Sequence, residues 1–211
     1  SYLGESFGLP KKGWDNGVFD ISLEPKSQAY FLKSIFSDKP VVHIGVADSK
    51  DDAEMWNGVK FDGDRISDHW NRTPGKKYTV YTYTNADEVE LYLNGKSLGI
   101  KKNSLDPKVR NKIKWTDIIF QKGVFEAVAR TNGKIVASHK IETAGAPKEL
   151  KLIPDVENWK ADGNDLIHVR VLAVDSKGLR SPMANGQLKF EVTGDADIIG
   201  VSNGEDRKSV V

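Results

Sequence analysis

The side chains able to do chemistry in this chain are four histidines, thirty carboxylates and five tryptophans, and their spacing decides what they can do. His43, His69, His139 and His168 stand singly. No His-x-His or His-x-x-x-His pair sets two imidazoles on one face of an element, so no zinc site, and no other metal, is assigned. Cysteine is absent, which excludes thiolate ligands, cysteine nucleophiles and a disulfide framework. Asp48, Asp51, Asp52, Asp62, Asp64 and Asp68 are numerous enough for calcium, which takes six to eight oxygens, but their spacing is not that of an EF-hand and they read as a solvated loop. Gly4-Glu5-Ser6-Phe7-Gly8 lies in a loop-like stretch and is not read as a nucleophile elbow. No phosphate-cradling glycine loop is present, and no cofactor is assigned. Trp14 and Trp56, both in loop-like segments, are candidate carbohydrate contacts because an indole face offers a large apolar surface to a sugar ring, whereas Trp70 and Trp115 are expected in cores.

The elements that must hold these residues are mostly strands. Residues 1–24 are rich in glycine and turn formers and carry no sustained period. Pro25 suits a first helical turn, and Ala29, Leu32 and Phe36 with Phe31 and Ile35 recur at steps of three and four, which predicts one helix over 25–37. From Val41 the period becomes two. Val89, Leu91 and Leu93 alternate with polar residues up to Asn94-Gly95, a type I′ turn signal, and Phe125, Ala127 and Ala129 lead through Asn132-Gly133 to Ile135, Ala137 and His139. Lys77–Thr84 supplies another strand. Residues 143–147 form a small-residue break, after which Leu150-Lys151-Leu152, the alternation from Ile167 to Ala173 and that of Leu188, Phe190 and Val192 predict further strands.

Short strands without intervening helices favour antiparallel sandwiches over a parallel α/β sheet. The expected organisation is a loop and helix over 1–39, a first β-sandwich over 40–145 and a second, immunoglobulin-like unit over 146–211. At about 65 residues the second unit is shorter than the roughly 100 that seven strands usually need, so it is expected to be truncated. A formal charge of +1, without a basic block, argues against nucleic acid as partner. No apolar run approaches the roughly 18 residues of a membrane span, and the first residues lack the pattern of a signal peptide.

The order of several segments carries a resemblance. Tyr2-Leu3-Gly4-Glu5-Ser6, Gly17-Val18-Phe19-Asp20, Pro25-Lys26-Ser27-Gln28-Ala29-Tyr30 and Pro40-Val41-Val42-His43 are similar to the end of the catalytic barrel in the β-galactosidases of glycoside hydrolase family 2. His69-Trp70-Asn71, the run from Tyr83 to Leu91 and Leu93-Asn94-Gly95-Lys96-Ser97-Leu98-Gly99 resemble the first sandwich after that barrel. Thr143-Ala144-Gly145-Ala146-Pro147, Lys160-Ala161-Asp162-Gly163 and Gly200-Val201-Ser202-Asn203-Gly204 resemble the immunoglobulin-like domain that follows.

The resemblance implies a bacterial parent enzyme that acts on O-glycosidic bonds with retention, a chemistry that needs two carboxyl groups roughly 5 Å apart. In the family both are glutamates on earlier barrel strands, one of them in an Asn-Glu dipeptide. This chain has no such dipeptide, so no catalytic residue is assigned and the chain is expected to be a non-catalytic C-terminal portion. Its expected partners are the parent's catalytic barrel and, through the parent, a carbohydrate substrate. The resemblance places Tyr2 and Glu5 at the barrel mouth, where they would touch substrate only in the intact enzyme. It also implies a periplasmic, extracellular or cell-surface location. Two other readings stay open: a stand-alone carbohydrate-binding module, for which exposed coplanar tryptophans would speak, and an immunoglobulin-like surface adhesin or spacer. Neither needs the helix at 25–37.

Overall fold

The computed structural model describes residues 18–19, 24–47, 55–56, 59–60, 66–160 and 162–201, with backbone alone for 55–56 and 59–60. Tyr2, Glu5 and Trp14 lie outside the described residues. The chain divides into two compact units between Thr143 and Ala144.

The first unit opens with helix α1, Ser27–Phe36. Pro25 stands before the helix rather than in its first turn, as the bridge partner of Phe19, and Lys26 takes the extended N-cap conformation. Strands follow in the order β1 Val42–Ala47, β2 Met55–Trp56, β3 Val59–Lys60, β4 Ile66–Ser67, β5 Lys77–Thr84, β6 Glu88–Leu93, β7 Lys96–Lys102, β8 Lys112–Ile119, β9 Val124–Thr131 and β10 Lys134–Glu142. Two four-stranded antiparallel sheets result, β4-β1-β5-β8 and β10-β9-β6-β7, while β2 and β3 pair separately.

Alternation explains the core. Val42, Ile44 and Val46 of β1, Val80 of β5, and Ile113 and Trp115 of β8 share one cluster with Val89, Leu91 and Leu93 of β6 and with Phe125, Ala127 and Ala129 of β9. This is the inward-facing set of a β-sandwich. At its centre Trp70 is fully buried, stacked on Phe125 at 4.7 Å between centroids and edge-on to Phe120 at 5.1 Å, with its indole N–H donating to the Gln121 carbonyl. Strand β5 is buried on both faces, because Tyr81 and Tyr83, pointing away from this core, pack with Ala47, Phe31 and Ile66 beneath α1.

The turns follow their residues. Asn94 and Gly95 have φ of 52° and 77°, Asn132 and Gly133 φ of 50° and 75°, the left-handed pair a type I′ hairpin needs.

In the second unit β11, Glu149–Pro154, pairs antiparallel with β12, Val169–Val174, and these form its one ladder among the described residues. Leu188, Phe190 and Val192, whose alternation predicts a strand, form no ladder and stay exposed. A period of two says which side chains share a face; a strand also needs a neighbour to take its amides. The described residues of this unit thus form one two-stranded sheet. No helix among the described residues is long and apolar enough to cross a membrane.

Candidate functional site

The polar groups withdrawn from water in the first unit gather where α1 meets β1. Alternation that sends Ile44 and Val46 into the sandwich sends His43, Gly45 and Ala47 to the other face, under the helix. The helix presents Ser27, Tyr30, Phe31 and Ser34, at helical steps of three, four and seven, and Ser27 and Ser34 are buried. The close approach depends on Gly45: a Cβ there would run into Ile66 Cγ2 and lie 3.3 Å from Ser27 Oγ.

His43 is 2% exposed, and its imidazole lies flat on the Tyr30 ring with centroids 3.8 Å apart. From the second sheet His139 reaches across, its ring 4.5 Å from that of His43, and accepts the Ile44 N–H on Nδ1 at 3.1 Å. That bond requires a neutral His139 with its proton on Nε2. Burial holds the His43 imidazole down to about 3, and repulsion from His139 adds to the effect. Burial also lowers His139, against the attraction of Asp68. The Tyr30 phenol is raised by burial and by the charges of Asp68 and Glu24. Ser27 Oγ, Gln28 Oε1 and both His43 nitrogens have no hydrogen-bond partner among the described residues.

Two neutral imidazoles, a phenol and a hydroxyl do not make the carboxyl pair that retaining glycoside cleavage uses. Among the described residues no group of three His, Asp or Glu side chains is placed to hold a metal. What the cluster does is seat the helix, together with two asparagines. Asn85 accepts the Val41 N–H at 2.8 Å and donates to the carbonyls of Ser37 and Lys39, closing the link from α1 to β1. Asn111, directly before β8, donates to the Ser34 carbonyl at 2.9 Å.

Seated this way, α1 turns its apolar side outward. Phe36 is 82% exposed, and Leu32 and Ile35 are exposed beside it. Phe19, Pro25, Ala29, Leu32 and Phe36 line a groove of about 430 Å³ on this side. The periodicity that predicts the helix is thus real, but of its stripe Phe31 meets the sandwich while Leu32, Ile35 and Phe36 face away from it.

Of the residues singled out in the sequence, Trp70 and Trp115 are buried as expected, and Trp115 donates to Thr82 Oγ1 at 3.1 Å. Trp56 pairs through its backbone with Val59; its side chain lies outside the described residues, as do all the loop aspartates except Asp68. The meeting of His43 with His139 was missed by local spacing, although His139 falls in phase with Ala137 and Ile141, which pack in the core, and so carried a sign of its inward direction.

Comparison with known proteins gives this arrangement a family. Residues 75–137 match a domain of unknown function, DUF4982, and residues 150–210 match glycoside hydrolase family 2 C-terminal domain 5. The chain is 36% identical to Beta-galactosidase BoGH2A of Bacteroides ovatus, over 96% of this chain and 21% of that protein. It is 30% identical to a Beta-glucuronidase of Formosa agariphila, over 86% of this chain and 16% of the relative. Among solved structures, a glycosyl hydrolase family 2 member from Bacteroides cellulosilyticus superposes with a TM-score of 0.73 at 35% identity, covering 80% of this chain and 22% of that one. The chain thus spans about a fifth of the length of the curated relatives it matches. With an antiparallel sandwich in the DUF4982 segment and a family 2 C-terminal domain match directly after it, the chain belongs to glycoside hydrolase family 2, as a region from the C-terminal side of such a protein.

Proposed function

We propose that this region is the non-catalytic C-terminal part of a retaining, β-galactosidase-like hydrolase, and that it works by docking its first sandwich, through α1, against the catalytic barrel of the parent protein. One observation carries this reading: the helix is fixed to the sandwich through Ser27, Tyr30, Phe31 and Ser34 and leaves Leu32, Ile35 and Phe36 facing out. A contiguous apolar surface of this kind marks an interaction site. The missing Asn-Glu dipeptide supports the non-catalytic half of the reading. The relatives named as galactosidase and glucuronidase support a carbohydrate substrate for the parent without choosing between the two sugars.

The test has two arms. The purified chain is assayed on aryl β-galactosides, β-glucuronides and β-mannosides, with no turnover expected; turnover that survives repurification and is lost on Glu5→Gln would refute the reading. In the full-length protein, Phe36→Asp is expected to lower the temperature at which hydrolysis is lost while leaving the isolated chain's own melting unchanged. An unchanged inactivation temperature would show that α1 does not face the barrel.

A further inference from the structure

Between Lys96 and Lys114 stand seven of the chain's 31 cationic side chains and one of its 30 acidic ones, so the rest of the molecule is net negative. The fold gathers this stretch on one rim. Strand β7 ends one sheet and β8 ends the other, and neither has a partner on its outer side among the described residues. Lys101 ties the two edges together: its Nζ donates to the Lys114 carbonyl at 2.8 Å and lies 4.9 Å from the Trp115 ring centroid. Lys112 Nζ sits 4.5 Å, and Lys114 Nζ 5.9 Å, from the Tyr81 ring centroid. The residues opposite Lys112 and Lys114 on β5 are Tyr83 and Tyr81, not carboxylates.

The loop between the edges is equally fixed. Asn103 Nδ2 donates to the carbonyls of Thr84 and Ala86 and to Asn111 Oδ1, and Asn103 Oδ1 accepts the Asn111 N–H. Asp106, the rim's single acid, accepts the Lys108 N–H, and its carbonyl accepts the Arg110 N–H. Lys101, Lys108, Arg110, Lys112 and Lys114 are all exposed, and none has an ion-pair partner among the described residues.

Lysines on edge strands also discourage edge-to-edge pairing. That role does not account for the apolar residues set among them, Ile100 at 54% and Leu105 at 87% exposure, which an edge built only to repel would not display. Five unpaired cations with apolar CH surface between them suit a chain that is anionic and ring-based. Ammonium and guanidinium groups take its carboxylates or sulfates, and the aliphatic side chains take its pyranose faces.

We propose that the rim of β7, residues 103–111 and β8 is a binding surface for an acidic polysaccharide. It would hold the polymer by charge near the parent's site, a role that rests on the reading of the parent as a glycan-cleaving enzyme. The buried Tyr81 and Trp115 rings do not face the polymer; they set the direction of the ammonium groups.

The test uses the 211-residue chain and reads binding only, so its outcome is independent of whether the parent hydrolyses any glycan. Retardation in gels containing polygalacturonate is compared with gels containing neutral dextran, and the complex is titrated with salt. Polygalacturonate is expected to retard the chain and dextran not, with retardation falling steeply as ionic strength rises, because exposed charges are screened. The variant Lys112→Glu with Lys114→Glu is expected to weaken binding about tenfold or more, and Lys39→Glu with Lys134→Glu, the same charge change on exposed positions elsewhere, only a few-fold. Unchanged thermal melting of both variants confirms that their folds are intact. Equal loss in both pairs would reduce the effect to net charge and overturn the proposal. So would absence of retardation, or tighter binding of DNA of matched length than of polygalacturonate.

Discussion

The His43 imidazole and the Tyr30 phenol ring lie parallel to within 2°, one on the first strand of the sandwich and the other on the helix above it. The stack joins two elements whose remaining contact surface is partly polar. It is cheap only while His43 is neutral, because a charge there would be buried, unsolvated and 4.5 Å from a second imidazole.

Stability of the first unit should therefore fall with acid. The unfolded chain protonates this histidine near 6.5, while the folded one does so only at about 3, so the unfolded state binds more protons throughout that window. Stability is full above pH 6.5 and declines as pH drops towards 3, at up to about 1.4 kcal/mol per pH unit for one histidine. Urea titrations of the chain at a series of pH values should show the slope. The variant His43→Phe, which keeps a ring on Tyr30 and removes two buried nitrogens, should flatten it; an equal slope in the variant would mean that other groups set the acid limit.

Asn85 meets three backbone groups, and no other side chain of similar shape offers one acceptor and two donations there. Replacing it with alanine should cost about 2–3 kcal/mol, as expected when partly buried backbone groups lose their partners. Asn85→Asp keeps the acceptor for Val41 but loses both donations, and should fall between wild type and alanine. Amide exchange at Val41 should accelerate in the alanine variant far more than in the aspartate one. Equal acceleration in both would assign the effect to the connector as a whole.

The contrast between turns and tertiary contacts shows what a sequence of this kind discloses. Asn94-Gly95 and Asn132-Gly133 need positive φ at adjacent residues, a local demand that local chemistry announces, and both hairpins lie where the pairs stand. The inward alternation of β6 and β9 is local in the same sense. His43 and His139 are 96 positions apart and meet because β10, at the edge of one sheet, folds against β1 of the other, which no window along the chain contains. The helix is an intermediate case: its apolar stripe is visible, but the side it turns to the sandwich was decided by Gly45, Tyr30 and Asn111, each unremarkable alone. Asn94 repeats the lesson, since beyond its turn it accepts the Val124 N–H and donates to the Lys122 carbonyl.

That second duty of Asn94 makes Gly123 irreplaceable. Its φ is 139°, and a Cβ there would collide with the Asn94 side-chain amide. Gly123→Ala should destabilise the chain by more than the roughly 1 kcal/mol of an ordinary glycine-to-alanine change at positive φ, because the clash also breaks the Asn94 bonds. In Asn94→Gly the collision is absent, so the added cost of Gly123→Ala should shrink. A double-mutant cycle by urea denaturation reads this coupling, and strict additivity would show that backbone strain alone is responsible.

The two units should also differ in how readily their amides exchange. In the sandwich, Val80, Leu91 and Ala127 are fully buried in strands paired on both sides, so their exchange should require opening of the whole unit. In the second unit β11 and β12 form a ladder with each other alone among the described residues, the single bridge of Val174 to Arg180 apart, and Leu152 is 63% exposed, so little apolar burial resists their separation. Amides of Leu150 to Ile153 should therefore exchange much faster than those of β6 and β9. The exception should lie around Asp175, whose carboxylate accepts the N–H groups of Gly145 at 2.7 Å, Lys177 at 2.8 Å and Leu179 at 3.0 Å. These bonds, that of Gly145 foremost, hold its carboxyl below the usual aspartate range. The protection they give is complete above that range and is lost only as pH falls through the lowered value. Asp175→Asn, which offers one acceptor oxygen in place of two, should release some of the three amides near neutral pH and leave the exchange of Leu91 and Ala127 untouched. If Leu150 to Ile153 proved as slow as the sandwich strands, the two-stranded sheet would have cover that its described residues do not supply.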